Sequence, residues 1–334
     1  MTYLESIAGT LTALGCDPSD SASFFALIQD VSADWNVRPM TAGPGFKTGV
    51  TSSGIPIEFS VALSRSHPPR FRFVTDPGLT ELDLNCRVKA IFDKCVLLPK
   101  RFLDCPLPDV VLEVFDLLRA NFRGRSTILP MWIGGEFDGV SLTGIKYYFD
   151  TGLFSKPGEA FGASLVSITK LGQPFWEAMT RKQQIGFTRC CGFGINVFRN
   201  GCEFKLYYRC FKTSDALLSW ASEFPSVDQS IQSNLDFARG RSGKMFFTCR
   251  YQADSRQLEI DQMHFFTEHF FDNDEAVFSW CDEAIGCHGE NRALIQRLRT
   301  ATADGSGSNR RITTCLGLNN NKINLYFIPL KSAD

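Results

Sequence analysis

The chain has 334 residues, with 35 Lys and Arg against 36 Asp and Glu and a formal net charge of −1; so even a balance lacks the basic excess that a general nucleic-acid binder needs. At 44% hydrophobic and 21% charged it has the composition of an ordinary folded soluble protein, and no run of 18 or more apolar residues offers a membrane span. The opening MTYLESIAGTLTALGCDPSD has an acid within its apolar part and no basic residue ahead of it, which does not fit a secretory signal, so a cytoplasmic location is expected.

The first 50 residues read as two helices and a lead-in. YLESIAGTLTAL (3–14) has apolar residues at helical spacing, and SDSASFFALIQDVSADW (19–35) opens with the cap candidates Ser19 and Asp20. The period then changes from 3.6 to 2. GIPIEFSVAL (54–63) and PRFRFVTDPG (69–78) form a hairpin around SRSHP, and two helical stretches follow, 81–95 and 106–122. The same unit recurs. TILPMWIGGEF (127–137) and TGIKYYFDTG (143–152) make a second hairpin, with helical segments up to about 183. IGFTRCCGFGINVF (185–198) and CEFKLYYRCF (202–211) turn at RNG, followed by helices over 215–224 and 226–240. KMFFTCRYQ (244–252) and RQLEIDQMHFF (256–266) turn around ADS, followed by helices over 272–286 and 289–303. RRITTCLGL (310–318) and NKINLYFIPL (321–330) turn at NNN.

The hairpin turns fall near 66, 140, 200, 254 and 320, a spacing of roughly 54 to 74 residues that marks a repeated architecture. Five antiparallel hairpins give ten strands. Closure removes exposed sheet edges, and the helices must bury their apolar stripes. The expected fold is therefore α+β: a ten-stranded antiparallel β-barrel surrounded by a ring of α-helices, built from five ααββ-type repeats. Residues 1–334 read as a single domain, with 1–50 as lead-in and 51–334 as the five units. A long open sheet covered by helices on one face is the runner-up. The twelve cysteines form no CxxC pair, and Cys281, Cys287 and His288 make an incomplete cluster, so reduced, buried thiols are expected.

Alternation splits each strand into two faces. Ile57, Phe59, Val61 and Leu63 oppose Glu58, Ser60 and Ala62; Phe71 and Phe73 oppose Arg70, Arg72 and Val74. Ile145, Tyr147 and Phe149 oppose Lys146 and Tyr148, and Phe204, Leu206 and Tyr208 oppose Glu203, Lys205, Tyr207 and Arg209. Leu258 and Ile260 oppose Gln257, Glu259, Asp261 and Met263, and Ile323, Leu325 and Phe327 oppose Lys322, Asn324 and Tyr326. The apolar faces meet the helices, so the polar faces point into the barrel. A lumen lined by Arg72, Lys146, Lys205 and Lys322 with Tyr148, Tyr207 and Tyr326 suits a polyanion such as a diphosphate, because Lys and Arg supply charge and Tyr hydroxyls supply neutral donors. Polar faces turned to solvent on an open sheet are the alternative. Glu58, a lone carboxylate on the same face, is either an ion-pair partner or a general base and hydrogen-bond acceptor for a substrate.

The stretch IPIEFSVAL…PPRFRFVTDPG, followed in order by GIKYYF, EFKLYY and KINLYF, resembles the soluble aromatic prenyltransferases of the ABBA barrel class. It is most similar to their indole-type branch of dimethylallyltryptophan synthases and bacterial relatives. The resemblance runs from about residue 50 through most of the chain. It implies transfer of a dimethylallyl group from dimethylallyl diphosphate to an aromatic acceptor, first an indole-containing specialised metabolite of the alkaloid kind. A phenol, another heteroaromatic or a peptide side chain comes next. In that reading Arg72, Lys146, Lys205 and Lys322 stabilise the leaving diphosphate. Tyr148, Tyr207 and Tyr326 donate to phosphate and shield the allyl cation, and Glu58 holds the acceptor and helps remove its proton. Relatives of this branch imply no required cofactor. A non-catalytic barrel carrier for an anionic or aromatic ligand is the alternative from another class.

The sequence departs from the family pattern in two places. Glu203 stands where an Arg is common, and Gln257, Glu259 and Asp261 stand where neutral donors such as Gln and Tyr are usual. Acids there would repel a diphosphate unless they bind a cationic acceptor, pair with Lys or Arg, or hold Mg²⁺, so a magnesium-assisted variant stays open although no metal ligands are assigned. Gln257, Glu259 and Asp261, with Trp132, are the acceptor-site candidates. Trp132 either stacks on the acceptor or packs against helices. His264 and His269 read as structural, and GSGSNRR (305–311) as a loop. The implied partners are the diphosphate and a small aromatic acceptor, with no nucleic acid and no membrane.

Overall fold

The structure, a computed structural model, describes residues 1–16, 22–32, 34–80, 82–122, 129, 131–139, 141–150, 188–210, 243, 245–252, 257–285, 289–304, 311–319 and 322–330. The cap candidates Ser19 and Asp20, the helices expected between 151 and 183 and over 215–240, and most of 305–311 lie outside these residues.

Ten strands close into one antiparallel barrel. They are β1 (Ile57–Ser64), β2 (Arg70–Thr75), β3 (Met131–Asp138), β4 (Ser141–Asp150), β5 (Thr188–Phe198), β6 (Gly201–Cys210), β7 (Met245–Gln252), β8 (Gln257–Phe266), β9 (Thr313–Asn319) and β10 (Lys322–Phe327). Each strand pairs with its neighbours in the chain, and β1 closes the ring against β10. The ends of the odd-numbered strands consequently share one rim, the hairpin-turn rim, and their starts share the other.

The described helices are α1 (Tyr3–Ala13), α2 (Ala22–Ser32), α3 (Leu84–Leu103), α4 (Asp109–Asn121), the short α5 (Thr267–Phe270), α6 (Asp274–Ile285) and α7 (Gly289–Asp304). Thr2 and Glu5 form a capping box on α1, and Asp83 caps α3 by accepting from the backbone of Asn85 and Cys86. α3 runs two turns beyond the expected end at Cys95, through Pro99. A proline there deprives the Cys95 carbonyl of its helical donor, and the Tyr147 hydroxyl of β4 supplies one at 2.9 Å.

The outward faces are apolar, as the alternation predicts. Ile57, Phe59, Val61 and Leu63 are all buried, as are Phe71, Phe73, Tyr147 and Phe149. Phe24 of α2 packs 4.2 Å from Phe137 and 5.3 Å from Phe73, ring centre to ring centre; Phe92 of α3 and Phe115 of α4 meet Phe149 at 6.0 and 6.1 Å. Each such ring removed from water contributes about 2–3 kcal/mol, which holds the helices to the barrel and leaves the lumen for polar side chains.

The outer wall is also tied across its seam. Ser6 of α1 donates to the Leu330 carbonyl at 2.5 Å, and the Leu330 amide donates to Thr10 at 2.9 Å. No helix among the described residues is long and apolar enough to cross a membrane.

Candidate active site in the barrel lumen

The lumen holds a cavity of about 270 Å³. Strand alternation brings Glu58 and Ser60, Arg72, Trp132, Lys146 and Tyr148, Lys205 and Tyr207, and Tyr326 to its wall. Gly49 and Val50 of the lead-in also line it.

The cations are not bare. Glu136 accepts from Arg72 at 3.3 Å and pairs closely with Lys146. Burial alone would raise the Glu136 carboxyl, but Lys146 and Arg72 outweigh it and hold it well below the usual carboxylate range. Lys146 is pulled down to about 7, mainly by burial and then by Arg72, against the attraction of Glu136. Lys205 bonds Asp261 at 2.7 Å and lies 3.6 Å from Glu203, which accepts from Asn196 at 2.9 Å. Each of these buried cations is therefore paired with a carboxylate, and a bound anion would compete with that carboxylate for its donors.

Glu58 is placed differently. Its Oε1 accepts a 2.6 Å bond from Thr314 Oγ1. Burial raises its carboxyl to about 7, a shift that the Thr314 bond partly opposes. Around it the rings form a collar. Tyr148 and Tyr207 meet edge to face at 5.9 Å, Tyr207 lies 6.4 Å from Phe246, and Phe246 stacks on His264, which lies 5.7 Å from Tyr326. Burial pushes all three tyrosines up, so they stay neutral donors.

No family model matches the sequence, and no curated protein matches it by sequence. Solved structures do match, over almost the whole chain. Prenyltransferase PriB, in a ternary complex with L-tryptophan and dimethylallyl thiolodiphosphate, superposes with a TM-score of 0.77 at 16% identity, over 100% of this chain and 96% of that one. The 5-dimethylallyltryptophan synthase of Streptomyces coelicolor gives 0.74 at 15% over 98% and 97%. AnaPT from Neosartorya fischeri gives 0.72 at 14% over 99% and 93%. The fold is the ABBA prenyltransferase barrel.

Within this ABBA barrel most of the expected residues meet. Glu58, Arg72, Lys146, Lys205, Tyr148, Tyr207 and Tyr326 share the cavity, and Trp132 lines it with an indole nitrogen that has no hydrogen-bond partner among the described residues. Lys322 does not join them. Its register opposite Ser64 and Asn319 sets it at the hairpin-turn rim, and it does not line the cavity. The side chains of Gln257 and Glu259 lie outside the described residues.

The fourth hairpin departs from simple alternation because β8 contains a bulge. Thr248 faces Gln262, but Cys249 faces Ile260, so Asp261 is an extra residue. Beyond it the faces exchange. Met263 and Phe265 turn outward into the core, not inward, while Gln262, His264 and Phe266 line the cavity. His264, read from sequence as structural, therefore belongs to the lumen. The bulge also lets Asp261 reach Lys205, which answers the repulsion expected of an acid there. Asp261 thus lines the cavity together with the neutral Gln262 and His264.

A second bulge explains Thr314. Tyr326 faces Cys315 while Phe327 faces Thr313, leaving Thr314 as the extra residue of β9. Thr313 bonds outward to Asp274 of α6, and Thr314 turns to Glu58. Nothing in TTCLGLN signals this. Glu136 was not among the residues named from sequence, although alternation from Trp132 through Gly134 places it on the lumen face. Glycine makes room for the collar: a Cβ on Gly194 would lie 3.0 Å from the Tyr207 ring, and one on Gly317 would lie 2.7 Å from Gln262 Cδ and 3.1 Å from His264 Nδ1.

Proposed function

We propose that this chain is an aromatic prenyltransferase that moves a dimethylallyl group from dimethylallyl diphosphate to an electron-rich aromatic acceptor, first of all an indole. The observation that carries the reading is the pairing, in one lumen, of a carboxylate raised to about 7 with a wall of buried cations and tyrosines. The structural neighbours bound to L-tryptophan and a dimethylallyl thiolodiphosphate support the same donor and acceptor class.

The chemistry follows from the placement. The allylic C–O bond breaks, and its electron pair leaves with the diphosphate, stabilised by Arg72, Lys146 and Lys205. Tyr148, Tyr207 and Tyr326 present π faces to the allyl cation and exclude water from it. The acceptor ring supplies the electron pair for the new C–C bond, and the displaced ring proton passes to Glu58. A carboxylate near 7 suits that step, because it is substantially ionised at neutral pH yet basic enough to take the proton. The protein carboxylates Glu136 and Asp261 are engaged with the lumen's own cations, and we take the reaction to need no metal and to run in the cytoplasm.

The test is to incubate the purified protein with dimethylallyl diphosphate and a panel of indoles, phenols and short aromatic peptides, in EDTA or in Mg²⁺. Mass spectrometry then looks for one added five-carbon unit. An indole product in EDTA, lost in Glu58→Gln, supports the reading. Product only with a peptide or phenol moves the acceptor class, and product only with Mg²⁺ overturns metal independence. Diphosphate binding with no turnover on any acceptor would make the chain a carrier.

A further inference from the structure

His264 is buried, 3% exposed, with neither ring nitrogen hydrogen-bonded among the described residues. Its imidazole stacks on Phe246 of β7 at 4.1 Å and 6° between planes, and it borders Tyr326 of β10. Nδ1 lies above Gly317 of β9, where no side chain intervenes. A buried imidazole with two idle nitrogens is costly, and stacking on Phe246 sets the plane of its ring. The ring lines the cavity, and neither nitrogen is committed to a partner among the described residues.

The charged groups that face it are Asp261 on its own strand, Lys205 on β6 and Arg72 on β2. Burial dominates and depresses the imidazolium to about 3; Asp261 opposes this, and Lys205 and Arg72 add to it. His264 is therefore neutral in the empty lumen. A diphosphate held by Arg72 and Lys205 would sit beside it and bring several negative charges into a site of low dielectric, which favours the protonated ring strongly.

We propose that His264 is a conditional cation, which takes a proton from solvent when the allylic diphosphate binds and then donates to the departing diphosphate as an imidazolium. This rests on the donor-site reading above. It differs from the roles of Arg72 and Lys205, which are already paired with Glu136 and Asp261 before any ligand arrives. The proton leaves with the released diphosphate, and the site returns to a neutral ring that does not repel the cations around it.

The experiment uses the full chain labelled at its four histidines, with ring nitrogen and carbon resonances followed by NMR between about pH 6 and 9, free and saturated with dimethylallyl thiolodiphosphate. His264 is assigned by the signal that vanishes in His264→Asn. The expected result is a neutral ring at every pH without ligand and an imidazolium with ligand, its midpoint above 7. Analogue affinity of the wild type should then fall up to tenfold per pH unit as pH rises toward that midpoint and level off above it, a steeper fall than in His264→Asn or His264→Tyr, in which Lys146 and the ligand still titrate. A ring that stays neutral in the complex, or variants with the wild-type slope, would overturn the proposal and leave the donor site standing. An analogue that does not bind at all would overturn both.

Discussion

Thr314 donates to Glu58 from β9, reaching past β10 to the strand beyond it. The bond stabilises the carboxylate against the burial that raises it to about 7. Thr314→Val keeps the shape and removes the donor. A hydrogen bond to a charged group is worth about 1.5–3 kcal/mol, so the Glu58 carboxyl should rise by about one pH unit or more. In the proposed reaction Glu58 acts ionised, so activity should be present above its pKa and lost as pH falls through it. The acid limb of the kcat/KM profile should move to higher pH, with the loss largest below 7 and smallest above 8.

Glu58→Gln should reduce kcat by about 10²–10⁴-fold and leave affinity for a diphosphate analogue within about threefold. It should also alter stability against pH in a set direction. A carboxyl raised in the folded state contributes stability that is full below its unfolded value near 4.5 and is lost as pH rises through about 7. Between pH 5 and 8 the wild-type Tm should therefore fall more than that of Glu58→Gln, as calorimetry would show.

Glu136 is where cations and lumen meet. Glu136→Gln leaves Arg72 and Lys146 buried without their counter-ion, and breaking such a pair costs roughly 3–5 kcal/mol. The variant should melt lower than wild type in plain buffer. Inorganic diphosphate should recover more of its Tm than it adds to wild type, since an external anion then replaces the missing carboxylate. Equal shifts in both proteins would count against a diphosphate held at Arg72 and Lys146.

Two glycines should respond in opposite ways. A Cβ on Gly317 would meet the movable ends of Gln262 and His264, whereas one on Gly134 would run into the Phe73 backbone carbonyl. Gly317→Ala should fold with nearly wild-type Tm and lose at least tenfold in kcat/KM as the two side chains are displaced. Gly134→Ala should lose about 1–3 kcal/mol of stability. Thermal melts beside steady-state kinetics separate the two.

Much of this lumen was legible because a strand has a period of two, and Lys146 with Tyr148 or Lys205 with Tyr207 advertises one inward face. The reading held wherever the ladder was regular. It failed at bulges, where one inserted residue exchanges the faces and leaves no mark in the residue types: Met263 went outward, Gln262 and His264 went inward, and Thr314 appeared beside Glu58. Lys322 was misplaced for another reason. Alternation gives a side chain its face but not its height along the barrel, and only the register opposite Ser64 reveals that Lys322 belongs to the rim.

The β1–β10 seam has a consequence for how the molecule comes into being. Nine of the ten strand pairings join neighbours in the chain and can zip locally, hairpin by hairpin. The tenth joins Phe59 to Phe327 across nearly the entire polypeptide, and such a distant contact pays its loop-closure entropy before any reward arrives. The bond between Glu58 and Thr314 spans the same gap, so a chain still emerging from the ribosome already carries Arg72, Lys146 and Lys205 while Glu58 has no hydroxyl beside it. Maturation of the proposed site and completion of the ring are then a single kinetic event.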